Sequence, residues 1–375
     1  MRILSIITSF TTGGAEMLVS NLSREFVAQG HEACVLALSD AAQVGNSEQA
    51  EQVMRGELEA AGVNNASLSL ANRRNPITGV RALRRAFADI KPDVIHVHTA
   101  QAAVYLAFLR PDVPLVMTHH NSRLSFPARL FFFFDTVVDH YVAISDSCAK
   151  TAKRFSRRPI TKVINAASQN FKAGEARSGI AERPVILSVG ALTPQKNYEL
   201  LIRAAERLRV RNPDIANGLK FNIVGNGSSI SALRTLVRDL RLDGLVELLG
   251  QRNDVAELMR GADLYVNSSH YEGMPVAVIE ALMSGLPVVA TNVEGNREIV
   301  KTGENGLLVA PDDADALADA IIEIVENPAL HAQLSRGALS SSAAFSIEST
   351  AGSHLDIYRK LVTPREMGGP SPLMA

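Results

Sequence analysis

Two acidic residues, Glu272 and Glu280, lie eight positions apart in the stretch HYEGMPVAVIEALMSGLPVVATNVEGNREIV. The apolar run 264–266 before it predicts a buried strand. Pro275 suits the first turn of a helix because its φ is fixed, and Gly285 suits the end of one. The pattern therefore places Glu272 in the loop before a helix and Glu280 inside that helix.

The start of this predicted helix could hold an anion. The backbone N–H groups of Gly273, Met274 and Val276 would lie where the helix dipole favours negative charge, so a phosphate would fit there. Glu280, further along, could accept two hydrogen bonds from a vicinal diol such as a ribose. The alternative is an acid favoured by the dipole and a second acid on a solvated face.

Lys196 and a pair of glycines could also contact a phosphate. Lys196 lies in the loop TPQKN that leads into a helix, where a lysine could neutralise a diphosphate as a leaving group gathers charge. The ordinary alternative is a solvated surface lysine. Gly13 and Gly14 lie between a strand and a helix, where the backbone can approach a ligand closely, although such a pair is more often only a turn.

Two patterns resemble metal sites. His96 and His98 have a spacing that permits metal ligation, but no cysteine or acidic cluster completes the set. Asp313 and Asp315 imitate an Asp-x-Asp metal motif, yet they open an amphipathic run and are better explained as the start of a helix. Neither pattern therefore identifies a metal site by itself.

The bulk composition indicates a folded two-domain protein. The chain has 375 residues, of which 46% are hydrophobic and 21% charged, which argues against disorder. Residues 1–170 hold 18 basic and 14 acidic residues (+4), and the remainder holds 20 and 25 (−5), which suggests that the first half binds an anionic partner.

The two cysteines lack metal-binding spacing, which favours reduced thiols and a location in the cytoplasm. No apolar run is long enough for a spanning helix.

Short apolar runs alternate with helical patterns in two series, which predicts two doubly wound parallel sheets. A polar stretch at 170–183 separates the series, and a proline-containing tail follows residue 363. The predicted strands are 3–8, 33–38, 94–97, 115–118, 141–144 and 162–164 in the first series, and 185–189, 220–224, 246–249, 264–266 and 286–290 in the second.

The stretch around the two glutamates resembles the E-x7-E signature of the retaining family 4 glycosyltransferases, glycosyl transferases group 1. Further motifs resemble the same family in order, and the resemblance spans residues 1 to about 362. They are GGAE at 13–16, PDVIHVH at 92–98, THH at 118–120, AIS at 143–145, VGAL at 189–192 with KN at 196–197, and IVGNG at 223–227.

The resemblance implies the α/β GT-B fold, in which two Rossmann-like doubly wound domains face each other across a cleft. Residues 1–170 would bind the acceptor, with a C-terminal helix 345–363 packing back on them. Residues 184–344 would bind a nucleotide sugar.

Carried over by position, the resemblance also implies roles for single residues. Glu280 would hold the ribose hydroxyls, Glu272 would contact the transferred sugar, and His119 would stabilise the transition state by hydrogen bonding. Ala191 stands where the family commonly has an arginine, so Arg252 or another basic residue would have to supply the second phosphate cation. The other positions implied in nucleotide-sugar binding are Gly13, Gly14, Gly190, Lys196, Asn226, Gly273, Met274, Pro275 and Val276.

The predicted activity is transfer of a hexose with retention of configuration, from a nucleotide diphosphate sugar to a hydroxyl of a lipid-linked or surface-polysaccharide acceptor. UDP-sugar is favoured over GDP-sugar, and the resemblance implies no metal in the site and no cofactor or nucleic acid. A nucleotide-sugar epimerase on the same fold and a non-catalytic sugar-nucleotide-binding protein remain open, and the missing arginine at Ala191 favours the latter. A second departure, Asn165-Ala166, leaves the acceptor geometry open.

Two segments predict contact with an anionic membrane surface at the inner face of the cell membrane. Residues 72–91 contain six basic residues against one acid, and residues 123–134 combine two arginines with four consecutive phenylalanines. The alternative for the phenylalanines is a core helix beside the acceptor cleft.

Overall fold

The computed structural model describes residues 1–11, 13–72, 75–120, 124, 126–167, 171 and 174–362. They form two compact units, Met1–Asn165 together with a helix that begins at Ile347, and Ala166–Ser346. Arg73, Arg74 and Arg123, which belong to the predicted membrane segments, lie outside the described residues, as do parts of the predicted linker and the tail.

The first unit is built on a parallel seven-stranded sheet with the order β3-β2-β1-β4-β5-β6-β7. Its elements are β1 (Arg2–Ile7), α1 (Gly14–Ala28), β2 (Glu32–Ala37), α2 (Glu48–Ala60), β3 (Asn64–Ser67), α3 (Pro76–Ile90), β4 (Val94–Val97), α4 (Ala100–Leu109), β5 (Leu115–His119), α5 (Leu130–Phe134), β6 (His140–Ala143), α6 (Asp146–Phe155) and β7 (Ile160–Lys162).

The second unit is built on a parallel six-stranded sheet with the order β10-β9-β8-β11-β12-β13. Its elements are β8 (Val185–Val189), α7 (Tyr198–Arg211), α8 (Pro213–Gly218), β9 (Lys220–Val224), α9 (Ile230–Asp239), β10 (Val246–Gly250), α10 (Val255–Gly261), β11 (Leu264–Asn267), α11 (Val276–Met283), β12 (Val288–Thr291), α12 (Glu294–Ile299), β13 (Gly306–Val309), α13 (Ala314–Val325) and α14 (Pro328–Ser342). The chain then continues into α15 (Ile347–Val362) of the first unit.

In each sheet, successive strands are first added on one side of the initial strand and then on the other, so the strand order reverses once. In the first unit the reversal lies between β1 and β4, and in the second it lies between β8 and β11. Loops that follow adjacent strands on the two sides of such a reversal diverge and leave a crevice at the carboxyl ends of the strands, where ligands of doubly wound sheets bind. The fold therefore points to the loops after β8 and β11, and to those after β1 and β4.

The predicted doubly wound organisation is confirmed, but two strands were missed. Both β3 and β13 are four-residue strands at the edge of a sheet. The segment NNAS of β3 alternates between exposed and partly buried positions and has the composition of a turn. An edge strand buries little apolar surface, so its sequence carries little periodic signal.

Local sequence explains how the helix around Glu280 begins and ends. Pro275 is the N-cap residue, one position before the helix rather than within its first turn. Gly285 has a φ of +71°, a left-handed conformation that favours glycine, and it ends the helix as predicted.

Asp313 and Asp315 begin a helix, as predicted. The Asp313 carboxylate accepts a hydrogen bond from the Ala316 N–H over 2.8 Å, which caps α13. Asp315 pairs with Arg207 and Arg211 over 3.6 and 3.4 Å. The pair is therefore part of a helix start.

Both cysteines, Cys34 and Cys148, are buried thiols that do not form a disulfide. Within the described ranges, none of the helices combines the length and the apolar character that crossing a membrane requires.

Candidate functional site

The loops after β8 and β11 are joined into one structural unit at the reversal of the second sheet. The His270 N–H donates to the Gln195 carbonyl over 2.9 Å, and the Gln195 side-chain amide donates to the Tyr271 carbonyl over 3.1 Å. The Ser268 hydroxyl donates to the Lys196 carbonyl over 3.0 Å. These bonds hold the loop that carries Lys196 against the loop that carries Glu272.

Glu272 is buried and accepts three hydrogen bonds at one oxygen. Its side chain is 5% exposed, and Oε1 lies 2.6 Å from Lys196 Nζ, 2.6 Å from Ser269 Oγ and 3.4 Å from Asn267 Nδ2. A buried carboxylate needs such partners because an isolated charge in a low-dielectric interior is costly. The structure thus joins two residues that the sequence analysis had placed in separate roles.

A second group of polar side chains holds the partners of Glu272 in place. Asn296 is fully buried, and its Nδ2 donates to Asn267 Oδ1 over 3.0 Å and to the Thr291 carbonyl over 2.8 Å. The Thr291 hydroxyl donates to the Ser269 carbonyl over 2.6 Å. Hydrogen bonds therefore connect Asn296 to Glu272 through Asn267.

Gly295 allows α12 to approach this loop closely. A Cβ at Gly295 would lie 2.8 Å from Glu272 Cβ and 2.8 Å from the Gly273 carbonyl oxygen. Gly295 and Asn296 stand near the end of the stretch that carries the two glutamates, but the sequence analysis assigned them no role and missed their contact with the Glu272 loop. Their place in that stretch was the signal that could have found them.

The first turn of α11 presents its N-terminus without a side-chain cap among the described residues. Gly273 and Met274 are buried in the loop that enters this turn, and Val276 is partly buried. The dipole of the helix favours an anion at this end. The direction of this helix dipole is therefore compatible with the predicted phosphate position.

Glu280 has an environment unlike that of Glu272. It is partly buried on α11, and no hydrogen bond or ion pair to its carboxylate is present in the described part of the chain. Burial raises the pKa of Glu280 to about 8. A desolvated carboxyl without partners is suited to receive hydroxyl groups from a ligand.

The three glycines that follow β8 and β9 serve close backbone packing. A Cβ at Gly225 would lie 1.9 Å from the Gly190 carbonyl oxygen, and one at Gly227 would lie 2.4 Å from the Leu192 carbonyl oxygen. Asn226 Oδ1 accepts from the Gly227 N–H over 2.8 Å, so this side chain also shapes the turn. The Gly-Asn-Gly run therefore has a local structural reason.

Among the described residues, no hydrogen bond or ion pair joins Arg252 to the Glu272–Lys196 pair. It follows β10, two strands from β8 in the sheet. Its Nε and Nη2 donate to the two carboxylate oxygens of Asp254 over 2.8 and 2.5 Å, and the side chain is 43% exposed. The Arg252 guanidinium is thus engaged with Asp254.

In the first unit, the predicted glycine pair lies at the reversal of the sheet. Gly13 is the N-cap residue of α1, and α1 begins at Gly14, with both residues exposed. A Cβ at Gly13 would lie 2.5 Å from Glu16 Oε2, so a larger residue would displace that side chain. Burial raises the pKa of Glu16.

His119 ends β5, as its position after the apolar run predicted. Its ring packs edge-on against Phe126, with 5.3 Å between the centroids. The side chain is partly buried at the carboxyl edge of the first sheet. This is an edge at which ligands of parallel sheets bind.

Four other histidines of the first unit, His96, His98, His120 and His354, form a cluster with Tyr358 of α15. His96 uses both ring nitrogens, 2.6 Å from the Tyr358 hydroxyl and 2.7 Å from Thr118 Oγ1. His98 Nδ1 lies 3.0 Å from His120 Nε2. Among the described residues, no three His, Cys, Asp or Glu side chains converge as metal ligands.

Burial, with repulsion between the rings, lowers the pKa of these histidines. The pKa of His96 and of His98 is held well below its usual value, and that of His120 falls to about 3. Burial also lowers the pKa of His354, which packs 5.4 Å from His96, to about 4. The cluster is therefore neutral at pH 7.

The two doubly wound sheets place the protein in the GT-B class of α/β folds, and whole-chain comparisons agree. Anabaena HepE in complex with UDP-glucose superposes with a TM-score of 0.80 at 21% identity, covering 96% of this chain and 100% of that one. Sucrose-phosphate synthase from Thermosynechococcus elongatus superposes with a TM-score of 0.81 at 19% identity, covering 97% and 100%.

Family models identify the chain more closely. The model for Glycosyltransferase Family 4 matches residues 12–168, and the model for Glycosyl transferases group 1 matches residues 172–340. Together they span most of the sequence, and the chain belongs to the family 4 (group 1) glycosyltransferases. The family predicted from the motifs is confirmed.

Curated relatives are named for related activities. A D-inositol 3-phosphate glycosyltransferase of Nocardioides sp. is 34% identical over 206 residues, which is 51% of this chain and 45% of that protein. The lipopolysaccharide core biosynthesis glycosyltransferase LpsE of Rhizobium meliloti is 29% identical over 242 residues, 63% of this chain and 68% of that protein. The chain thus spans about half the length of the first of these relatives.

Proposed function

We propose that the protein transfers a hexose, with retention of configuration, from a UDP-sugar to a hydroxyl of a lipid-linked or surface-polysaccharide acceptor. The observation that carries the proposal is the pair of carboxyl groups on either side of the α11 N-terminus. Glu272 is buried and paired with Lys196, whereas Glu280 has no partner among the described residues. One ligand with a diol at one end and a sugar at the other would contact both carboxyl groups.

In the proposed complex, the ribose hydroxyls donate to the Glu280 carboxylate. The diphosphate lies at the N-terminus of α11, near Gly273, Met274 and Val276, where the backbone favours an anion. Lys196 is then shared between Glu272 and the diphosphate, since a flexible ammonium group can donate three hydrogen bonds. The transferred sugar contacts Glu272.

The proposed chemistry needs no nucleophile from the protein. The acceptor oxygen forms the new bond to the anomeric carbon on the face from which the bond to the phosphate oxygen breaks. The departing phosphate oxygen takes the acceptor proton, so atoms and charge balance. Lys196 stabilises the negative charge that gathers on the leaving group, and His119 is proposed to hydrogen-bond the transferred sugar.

The names of relatives and structural neighbours support the donor and acceptor classes. HepE has been crystallised with UDP, with UDP and glucose, and with UDP-glucose. An Escherichia coli relative named UDP-Gal:alpha-D-GlcNAc-diphosphoundecaprenol alpha-1,3-galactosyltransferase is 34% identical over 148 residues, 39% of this chain. A lipid-linked acceptor would also place the protein in the cytoplasm at the inner face of the cell membrane.

A non-catalytic nucleotide-sugar binder is the second candidate. It is favoured by Ala191, which replaces the family's arginine, and by Arg252, whose guanidinium is engaged with Asp254. In a catalytic complex Arg252 would have to leave Asp254, or Lys196 would act as the main cation.

The test is transfer from a panel of UDP- and GDP-sugars to detergent-solubilised polyprenyl-diphosphate sugars, with the product's anomeric configuration read by NMR. We expect one UDP-sugar to react with retention and Glu272→Gln to lower turnover by about 100-fold or more. Donor binding without transfer or hydrolysis would support the non-catalytic alternative. Product formed without acceptor would support an epimerase.

A further inference from the structure

Exposed apolar side chains are concentrated on one part of the first unit. Among the described residues, six large hydrophobic side chains are exposed, and four of them belong to α3–α6. These four are Ile77 (60% exposed), Phe108 (61%), Phe132 (77%) and Phe155 (38%). All exposed phenylalanines of the described chain are in this set.

The run Phe131–Phe134 divides by helical position. Phe131 and Phe134 are 2% and 0% exposed and belong to the core, and Phe133 is partly buried against it. Phe131 and Phe134 lie three positions apart and share the helix face that points inward, so Phe132 points away from the core. The core-helix interpretation from the sequence is therefore right for two of the four rings and wrong for Phe132.

These helices form one continuous surface. Gly79 of α3 packs on the Tyr105 ring of α4, where a Cβ would lie 2.5 Å from that ring. Phe108 of α4 and Phe133 of α5 have ring centroids 5.7 Å apart. Contacts also join α5 to α6. All four helices lie on crossovers to successive parallel strands, and right-handed crossovers put them on the same side of the sheet.

The surface formed by α3–α6 carries an excess of positive charge. The four helices contain six basic residues and two acidic residues, a net charge of +4 from 6 − 2. One of the acids, Asp146, is already paired with Lys162 over 2.9 Å. The Arg154 guanidinium lies 5.4 Å from the centre of the Phe155 ring. The basic residues are Arg81, Arg84, Arg85, Lys150, Lys153 and Arg154, all exposed.

We infer that the α3–α6 surface docks on an anionic lipid bilayer, with Phe108 and Phe132 inserted at the interface and the basic residues among the headgroups. Aromatic rings surrounded by arginine and lysine match the chemistry of such an interface, where apolar tips enter the acyl boundary and cations meet phosphates. The inference deepens the proposed function and rests on it for the reason why a membrane is the partner: a lipid-linked acceptor resides there. It adds α6, Phe108 and Phe155 to the segments that the sequence indicated.

The chain contains no tryptophan, which allows a direct measurement. Phe132→Trp and Phe108→Trp each introduce a single fluorophore at the proposed contact, and Val210→Trp introduces one at an exposed site (67%) of the second unit. With vesicles containing one quarter anionic lipid, we expect a blue shift and quenching by brominated acyl chains at positions 108 and 132. The Val210→Trp spectrum should not change. No shift at positions 108 and 132, or an equal shift at position 210, would overturn the inference.

Vesicle sedimentation tests the two chemical components separately. Phe108→Ser combined with Phe132→Ser, and Arg84→Glu combined with Arg85→Glu, should each lower the partition coefficient about ten-fold or more. Arg234→Glu combined with Arg238→Glu, at two exposed positions on α9, is the matched charge control and should bind like the wild type. Equal binding to neutral and anionic vesicles, or no loss in either double variant, would contradict the inference.

Neither measurement uses donor or acceptor, so the two proposals fail separately. A protein that binds vesicles but transfers no sugar to a solubilised acceptor would retain the docking surface and lose the proposed function. One that transfers sugar to a solubilised acceptor but ignores anionic vesicles would do the reverse.

Discussion

The ammonium group of Lys196 lies 2.6 Å from Oε1 of Glu272, and the two residues come from loops that follow adjacent strands of the second sheet. Glu272 is 5% exposed and Lys196 is 24% exposed, so the pair is shielded from water on one side. The lysine thus compensates the charge of the carboxylate. In the proposed complex, a bound diphosphate would share the same ammonium group with Glu272.

Substitutions of Lys196 and Glu272 should have non-additive effects on the free energy of unfolding. Lys196→Met leaves a buried carboxylate without its cation, and we expect a loss of about 1–3 kcal/mol in the free energy of unfolding. Glu272→Gln keeps an acceptor for Ser269 and should cost less. Urea unfolding of both single variants and the double variant gives the coupling energy, expected at about 1–2 kcal/mol. Additive effects would mean that the ion pair contributes nothing to the fold.

Asn296 should act as a positioning residue for Glu272. Asn296→Ala removes the donor to Asn267, which in turn contacts Glu272. A displaced carboxylate should lower kcat about 10- to 100-fold with a smaller change in the KM for donor.

Asn305→Ala is the matched control for Asn296. Asn305 is also buried and donates to the Ile299 carbonyl over 3.1 Å. Within the described part of the chain, none of its hydrogen bonds reaches the Glu272 loop. It should lose comparable stability and keep kcat. An equal loss of kcat in both variants would show that Asn296 acts only through general stability.

UDP affinity should depend on pH through Glu280. Burial raises the pKa of Glu280 to about 8, so this carboxyl is mostly protonated at pH 7. Ribose hydroxyls donate best to the ionised form, and affinity should therefore rise as pH increases. Between pH 7 and pH 9 we expect about a ten-fold increase in the association constant. Glu280→Gln should give a flat profile over this range, and a wild-type profile that is equally flat would contradict the assignment.

Folding stability should decrease below about pH 6.5 because of the histidine cluster. His120 and His354 have pKa values lowered to about 3 and about 4 by burial, so the unfolded chain binds protons that the folded protein does not. Each such group should cost about 1.4 kcal/mol per pH unit between pH 6.5 and its folded pKa. Urea unfolding at pH 7.5, 6.5 and 5.5 measures the slope. His354→Gln should lower the slope of unfolding free energy against pH by the contribution of about one proton. An unchanged slope would indicate that His354 titrates normally.

Sequence analysis could predict the positions of residues whose structure follows from a short stretch of neighbouring residues. Apolar strands flanked by turns identified the two sheets, and Pro275, Gly285 and Asp313 marked helix ends through their own backbone preferences. The E-x7-E spacing marked both acids because both lie on one loop and helix.

What the sequence could not supply depends on tertiary contacts. Lys196 and Glu272 are far apart in the chain, and only the neighbouring positions of β8 and β11 bring them together. The contacts of Asn296 with Asn267 arise in the same way. Arg252 looked available as a second cation, but its local partner Asp254 occupies it.

Calorimetric titration of UDP, GDP and ADP into the wild type and Glu280→Ala tests whether Glu280 binds the ribose of a UDP-sugar. We predict that UDP binds more tightly than GDP or ADP and that Glu280→Ala weakens UDP binding by about ten-fold or more. Equal affinity of the variant and the wild type for UDP, or binding of none of the three nucleotides, would show that Glu280 does not hold a UDP-sugar.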